Sequence, residues 1–229
     1  FQKLHELCVK YNSEISMCGY YSQSSDKVNK SLIPLPQEGV LTREKAYEQV
    51  LIPGKFEGFL WNKLFDTRLL KETNILFDEN IHFCEDQLFV CKVLKYCKNI
   101  SYTTNHYYHY IKNSSSATET VNEKYITRIG AIESIVNELK GTEIEDLAKA
   151  AAANASCIML MDVYDTFYCT NDVLEKLKYI KRKYRREFWR YPFSLKFKIR
   201  FIGLDISIPL FIKLYRRLKK IKSSLIGEN

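Results

Sequence analysis

Hydrophobic residues recur at two different spacings in the first half of the chain, and each spacing predicts one type of element. A helical period over the first eleven residues is followed by a strand around Ile15 and Met17, and a polar loop is expected over residues 22–40. Thr42 is placed to cap a helix that ends near Val50. A further helix is expected to carry four apolar residues: Trp61, Leu64, Phe65 and Leu69.

The middle of the chain predicts an amphipathic helix, an aromatic strand and a polar loop. Apolar residues at helical spacing follow the acidic pair Glu85 and Asp86 in the segment HFCEDQLFVCKVLKYC. Residues 99–111 are dense in β-branched and aromatic side chains and predict a strand. His106 and His109 are three positions apart on that strand, so we expect them to face opposite sides and not to share a metal ion. The segment KNSSSATET, residues 112–120, predicts an exposed loop.

The C-terminal half predicts mostly helices. Long helical patterns cover residues 121–139 and 144–168, and a basic helical stretch over residues 174–189 ends before a proline. The alternation of apolar and polar residues in FSLKFKIRFI, residues 193–202, predicts a strand. A last helix is expected to begin at Ser207 and to place a basic face opposite an apolar stripe made of Ile208, Phe211, Ile212, Tyr215 and Leu218.

Composition indicates a folded protein in a reducing environment. The chain has 229 residues, of which 46% are apolar, enough for the core of one ordinary domain or slightly more. Its seven cysteines form no CxxC pair, which argues against both a disulfide framework and a zinc site. No signal peptide is recognised, and the apolar runs are too short to cross a bilayer.

Charge is concentrated near the C-terminus. Residues 174–222 hold 17 Lys or Arg against three acidic side chains, a balance of +14. The remaining residues hold 18 basic and 24 acidic side chains, a balance of −6, which together give the net charge of +8. This asymmetry predicts that residues 174–222 contact an anionic membrane surface. Nucleic acid is disfavoured because no nucleic-acid-binding motif is present and the body is acidic. Alternatively, the last helix packs on the preceding helices and its basic face is only solvated.

The acidic pair itself has two interpretations. Acids in the first turn of a helix meet unpaired N–H groups and the positive end of the helix dipole, which contributes about 0.3–1 kcal/mol each. A rigidly held carboxylate at the same place is also suited to general base catalysis. The sequence on both sides of the pair bears on the choice between them.

The segment Gly58–Leu94 resembles the C-terminal half of family-two glycosyltransferases of the GT-A fold, which build bacterial capsules, exopolysaccharides and wall glycopolymers. The resemblance rests on five motifs in matching order: WNKLF at 61–65, FDE at 77–79, ED at 85–86, YYHY at 107–110 and SSS at 114–116. It extends over residues 1–120, and more loosely to the end. It implies an α/β fold: a partial GT-A (Rossmann-like) domain in residues 1–120 that lacks the N-terminal nucleotide-binding half, followed by an α-helical region in residues 121–229.

By this resemblance, Asp86 is the general base of an inverting hexosyl transfer from a nucleotide-sugar to a glycan or lipid-linked acceptor, and Glu85 orients the acceptor or holds the loop. The substrate-binding residues implied are Trp61, Asn62, Lys63, His109 and Lys112. For two of them a plainer role stays open, because Trp61 lies at helical spacing with core residues and His109 is equally suited to a packed position at the rim.

This sequence lacks the divalent metal site of the family. In the family, Mn²⁺ or Mg²⁺ is held on the donor diphosphate by an Asp-x-Asp motif in the N-terminal half, and no Asp-x-Asp occurs here. We therefore expect the parent enzyme to bind the metal upstream, and this chain to be a fragment that holds no metal and is inactive alone. Its expected location is cytoplasmic, peripheral at the inner face of the cell membrane. The alternative is a non-catalytic membrane- or partner-binding module, a pseudo-enzyme remnant.

Overall fold

The computed structural model describes residues 1–24, 28–31, 33, 35–111 and 121–226, with residues 220 and 222–226 described by their backbone only. The chain divides into two compact units, Phe1–Ala148 and Lys149–Asn229. The division falls within a long helix, and it comes later than the expected boundary between residues 120 and 121. Residues 121–148 therefore belong to the first unit.

The first unit combines a mixed sheet with helices. Its elements are α1 (Gln2–Tyr11), β1 (Ile15–Gln23), β2 (Val28–Lys30), β3 (Glu38–Leu41), α2 (Arg43–Leu51), β4 (Lys63–Phe65), α3 (Thr67–Thr73), α4 (Glu85–Leu94), β5 (Ile100–Ile111), α5 (Glu123–Ile126), α6 (Arg128–Glu138) and the start of α7 (Glu145–Val163). The helices predicted near the start, after Thr42 and after the acidic pair are confirmed, as are the strands around Ile15 and over residues 99–111.

The sheet is built around β1, which pairs in parallel with β5. The order is β2-β1-β5-β3, and β4 pairs antiparallel with the first residues of β1. The first half of β1 is buried, from Ile15 to Gly19, because both of its edges carry other strands. The register of β1 against β5 shifts on both sides of Gly19, where an added Cβ would lie 2.9 Å from the backbone oxygen of Thr104.

Helices α2 and α4 supply much of the core of this unit. Tyr47 of α2 is fully buried, and its hydroxyl donates a hydrogen bond to the Cys91 carbonyl of α4 at 2.9 Å. On α4, the residues at helical spacing that the sequence marked as apolar, among them Leu88, Val90 and Leu94, are all buried. This packing fixes the position of the N-terminal turn of α4, which carries the acidic pair.

Two expectations for this unit need correction. The helix expected to carry Trp61, Leu64 and Phe65 is instead the short strand β4, and α3 begins only at Thr67. The reason is a tertiary one, since Leu64 and Phe65 complete the edge of β1 with backbone hydrogen bonds. The polar segment 22–40, expected as a loop, contains the end of β1, all of β2 and the start of β3.

The second unit is helical over its described residues. It comprises the remainder of α7, then α8 (Asn171–Lys183), α9 (Arg185–Arg190), α10 (Leu195–Ile206) and α11 (Ile208–Ile226). The strand predicted over residues 193–202 is wrong, because this segment forms α10. Phe201 and Leu204 are buried on one side of α10, so the helical spacing of its apolar residues, rather than their alternation, decides the structure.

Candidate active site

The site is centred on the N-terminal turn of α4. The residue before the helix, Cys84, has a left-handed backbone (φ 64°) and provides no side-chain cap. The first turn contains Glu85 and Asp86 instead, and the Asp86 carboxylate accepts a hydrogen bond from the Gln87 N–H at 2.7 Å. Asp86 thus uses one backbone donor of the helix start, in keeping with the preference of anions for this end of a helix.

The environment of Asp86 favours its protonated form more than water does. Burial raises the pKa of the Asp86 carboxyl to about 6, and the charge of Glu85 adds to the rise, whereas the Gln87 N–H and the charge of Lys63 oppose it. In the part of the chain that the structure describes, no cation lies within ion-pair distance of Asp86. Asp86 as a whole residue is intermediate in exposure, so it is not sealed from solvent.

The turn that carries Asp86 is fixed to a neighbouring loop through Gln87. The Gln87 side-chain amide donates to the Val50 carbonyl at 2.9 Å. Gly58 lies directly against the same side chain, and a Cβ at that position would stand 2.4 Å from the Cβ of Gln87. Only glycine permits this approach. The loop 52–62 and the start of α4 therefore form one packed structure.

Lys63 and Asn62 lie inside this structure. The Lys63 ammonium is almost fully buried and donates to the Glu57 carbonyl at 2.6 Å, the Phe59 carbonyl at 2.7 Å and the Asn62 side-chain oxygen at 2.8 Å. Burial lowers the pKa of Lys63 to about 7, although the charge of Asp86 opposes this shift.

The Asn62 side chain is also fully buried and donates to the Phe56 carbonyl at 2.9 Å. We expected both Asn62 and Lys63 to contact a substrate. The structure corrects this expectation, because their polar atoms are directed to the protein's own backbone and to each other. Their role is to hold the loop, and Lys63 also places a positive charge close to Asp86.

Glu57 is a second carboxylate of the site, and the sequence analysis missed it. Its backbone is left-handed (φ 57°), and its carboxylate accepts hydrogen bonds from the Gly54 N–H at 3.0 Å and the Tyr20 hydroxyl at 3.2 Å. Burial raises the pKa of Glu57, while the charges of Lys63 and Arg128 lower it. The only sequence signal was an acid in a turn between two aromatic residues, which is too common to single out one residue.

Trp61 belongs to an aromatic cluster beside Glu57, made of Tyr20, Phe59, Trp61, Tyr108 and Tyr110. The indole stacks with Phe59 at 4.7 Å and with Tyr108 at 4.5 Å between ring centroids, and Tyr20 meets it edge-on. Trp61 is half-buried. The ring therefore packs in a cluster without being fully buried, and its contact with a sugar stays a prediction.

His109 is exposed and stacks on Tyr21 at 4.5 Å, while His106 contacts the same Tyr21 ring at 5.0 Å. The expectation that the two histidines face opposite sides is therefore wrong, because the register shift near Gly19 breaks the alternation of β5. The His106 Nε2 lies 3.0 Å from the Ser31 carbonyl oxygen. Lys112, also expected to bind substrate, and the serines at 114–116 lie outside the described residues.

The residues of this site do not fit a divalent metal ion. Over the described ranges, no group of three or more His, Cys, Asp or Glu side chains is arranged to hold one. The Glu57 carboxylate is already occupied by two donors, and Asp86 is bound to the helix start. The reaction proposed for this site therefore uses no metal ion bound by these residues.

Comparison with known proteins gives a structural match without a sequence match. No family model matches the chain, and no curated protein matches it. Among solved structures, it is similar to S. aureus TarS residues 1–349 in complex with UDP-GlcNAc, at 15% identity and a TM-score of 0.54 over 97% of this chain. A second TarS structure, in complex with UDP, gives 14% identity and a TM-score of 0.47 over 81% of this chain.

The chain spans 63% of the length of TarS 1–349 in that first match. At this level of identity the similarity concerns the fold. Both the mixed α/β unit and the C-terminal helices are included, since nearly the whole chain is covered. The fold of this chain is that of part of a glycosyltransferase domain.

Proposed function

We propose that this chain is the acceptor-side part of a glycosyltransferase of the family-two GT-A type, with Asp86 as its general base. The enzyme transfers a hexosyl group from a nucleotide-sugar to a hydroxyl group of a glycan or lipid-linked acceptor and inverts the anomeric configuration. The diphosphate clamp, with its Mn²⁺ or Mg²⁺, lies outside these residues in this proposal, so the described residues do not transfer sugar alone.

The observation that carries the proposal is the state of Asp86. A general base works best when its pKa is close to the working pH, and burial raises the pKa of Asp86 to about 6. The residue is intermediate in exposure, and the Gln87 contacts with Val50 and Gly58 hold its turn in place. A side chain that served only to stabilise the helix start would need neither the burial nor the fixed neighbouring loop.

The proposed step is a single displacement. The acceptor O–H gives its proton to an Asp86 oxygen while the acceptor oxygen forms a bond to the anomeric carbon. The bond from that carbon to the diphosphate oxygen breaks on the opposite face, and its electron pair leaves with the nucleoside diphosphate. Positioning accounts for much of the rate of such a step, because the base must lie within hydrogen-bond reach of the hydroxyl.

The remaining residues take supporting roles in this proposal. Glu85, in the same helical turn, orients the acceptor. Trp61 provides an aromatic edge for a sugar ring at the exposed side of the aromatic cluster. His109 and Lys112 approach the diphosphate, and Lys63 keeps Asp86 ionised by its nearby charge. The fold similarity to TarS, whose structure contains UDP-GlcNAc, supports a nucleotide-sugar as donor.

The test is an Asp86→Asn substitution in the protein that carries this chain together with its nucleotide-binding half. The amide keeps the shape and the hydrogen bond to the Gln87 N–H but cannot accept a proton. We expect the transfer rate to fall by about 100-fold or more, with donor affinity changed less than about twofold. Glu44→Gln is the matched control, since Glu44 is an exposed acid in the first turn of α2; it should leave transfer unchanged. Turnover near the wild-type rate in Asp86→Asn removes Asp86 as the base.

A further inference from the structure

Helices α10 and α11 both expose an apolar stripe at helical spacing. Eight large apolar residues on these two helices are between 45% and 76% exposed: Leu195, Ile199, Ile202 and Ile206 on α10, and Leu210, Leu214, Leu218 and Ile221 on α11. On each helix the members are three or four positions apart, so each set forms one continuous stripe. Scattered exposed apolar residues are ordinary, whereas a contiguous set of this size marks an interaction surface.

These stripes are the solvent-facing sides of the two helices. Phe201 and Leu204 on α10 and Ile212 on α11 are buried, and they lie on the opposite faces of their helices. Gly203 allows the two helices to approach closely, since an added Cβ would stand 2.0 Å from the Phe211 ring. Of the stripe that the sequence predicted for α11, Ile212 is buried and Ile208, Phe211 and Tyr215 are half-buried, whereas Leu218 is exposed and belongs to the outward-facing set.

The surroundings of the stripes are strongly basic. Residues 174–222 carry a balance of +14. Two of the three acids in this region are already paired: Asp205 binds Lys181 and Arg185, and Glu175 binds Lys178. Lys196, Lys213 and Arg217 are exposed on the same two helices as the stripes. An apolar stripe bordered by cations is the usual composition of a helix that lies in the interface of an anionic membrane.

We propose that the α10–α11 pair binds an anionic lipid surface, with the eight apolar residues entering the acyl boundary and the flanking Lys and Arg meeting the phosphates. The charge selects this occupant over a second copy of the chain, because two copies would bring two strongly positive surfaces together. Over the described residues no helix is long and apolar enough to cross a membrane. The contact is thus in the plane of the interface, and it does not depend on the function proposed for Asp86.

The test is co-sedimentation of the chain with vesicles of phosphatidylcholine alone and of phosphatidylcholine with about one third phosphatidylglycerol. We expect binding to the mixed vesicles that is at least about tenfold stronger than to the neutral ones and that weakens with salt. The triple variant Ile202→Gln, Ile206→Gln, Leu210→Gln should lose at least about tenfold in binding. Lys213→Glu with Arg217→Glu should lose about as much, since one interfacial cation contributes about fivefold, or about 1 kcal/mol.

Matched controls come from the first unit. Val9→Gln with Leu76→Gln replaces apolar residues that are 70% and 68% exposed, and Lys98→Glu with Lys124→Glu makes the same change of charge as the basic pair. Neither control should alter vesicle binding. Three results overturn the proposal: equal binding to neutral and mixed vesicles, unchanged binding of the triple variant, or a dimer in solution that the triple variant dissociates while vesicles bind neither form.

Discussion

At the scale of single residues, Asp86 is held between opposing influences. The N-terminus of α4 and the charge of Lys63 favour the carboxylate, whereas burial and Glu85 favour the carboxylic acid, and burial is the largest of these effects. A side chain in this state lowers the stability of the folded protein when it ionises. The same property that suits Asp86 to accept a proton should therefore be visible in folding.

Because the folded pKa of Asp86 lies above its ordinary value of 3.8, its contribution to stability is full below about pH 4 and is lost as pH rises to about 6. Asp86→Asn removes this loss. Relative to wild type, we expect the variant to gain about 1–3 kcal/mol of unfolding free energy between pH 4 and pH 7.5. Urea denaturation of the wild-type chain and the variant at the two pH values measures this difference in unfolding free energy.

Asp66→Asn is the control with the opposite sign. Its hydrogen bonds with Arg68 lower the pKa of Asp66, so its carboxylate stabilises the folded state above its ordinary pKa and that contribution is lost as pH falls. Because this change is confined to pH values near and below the ordinary pKa, the Asp66 variant should change little relative to wild type between pH 4 and pH 7.5, and any change should be a loss of stability as pH rises. If both variants shift in the same direction, the environment described for Asp86 is wrong.

At the scale of elements, the site depends on the contact between the loop 52–62 and the start of α4. Gly58 meets Gln87 in van der Waals contact, and the Gln87 amide binds Val50 of α2. The buried ammonium of Lys63 holds the same loop by three hydrogen bonds. These contacts join residues that are distant in sequence and fix where Asp86 and Glu57 stand.

Gly58→Ala should disturb this contact directly. The new methyl group overlaps the Gln87 side chain and backbone, and overpacking of this kind costs about 1–3 kcal/mol. Gly130→Ala is the matched control, because its Cβ would have an ordinary neighbour at 3.8 Å within α6; it should raise stability by up to about 1 kcal/mol. Urea denaturation compares the two. Equal stability of the Gly58 variant and wild type would show that the loop and α4 are not tightly joined.

The elements also show where sequence patterns suffice. The helix α4 follows from apolar spacing alone, and β5 follows from its β-branched and aromatic residues. The alternation of apolar and polar residues in 193–202 led to a wrong prediction of a strand, since Leu195, Ile199 and Ile202 fit a helical period equally well. The strand β4 has only three residues and exists because β1 offers an open edge, a condition that no local pattern reveals.

At the scale of the whole molecule, chemistry and charge are divided between the two units. The first holds the acidic pair, Glu57 and the aromatic cluster, and the second holds the strongly basic residues 174–222 and both apolar stripes. The motif order indicated the first unit and Asp86. Glu57 and the buried roles of Asn62 and Lys63 could not be predicted, because they depend on loop geometry. The exposed stripe on α10 could not be predicted either, because the alternation in residues 193–202 indicated a strand.

The most direct test of the central claim is the pH dependence of kcat/KM for sugar transfer by the protein that carries this chain. If Asp86 accepts the proton, the wild-type rate should rise with pH through a pKa of about 6 and then level off. The residual rate of Asp86→Asn should lack that rise. A rise with the same midpoint in the Asp86→Asn variant would assign the base to another group and contradict the account.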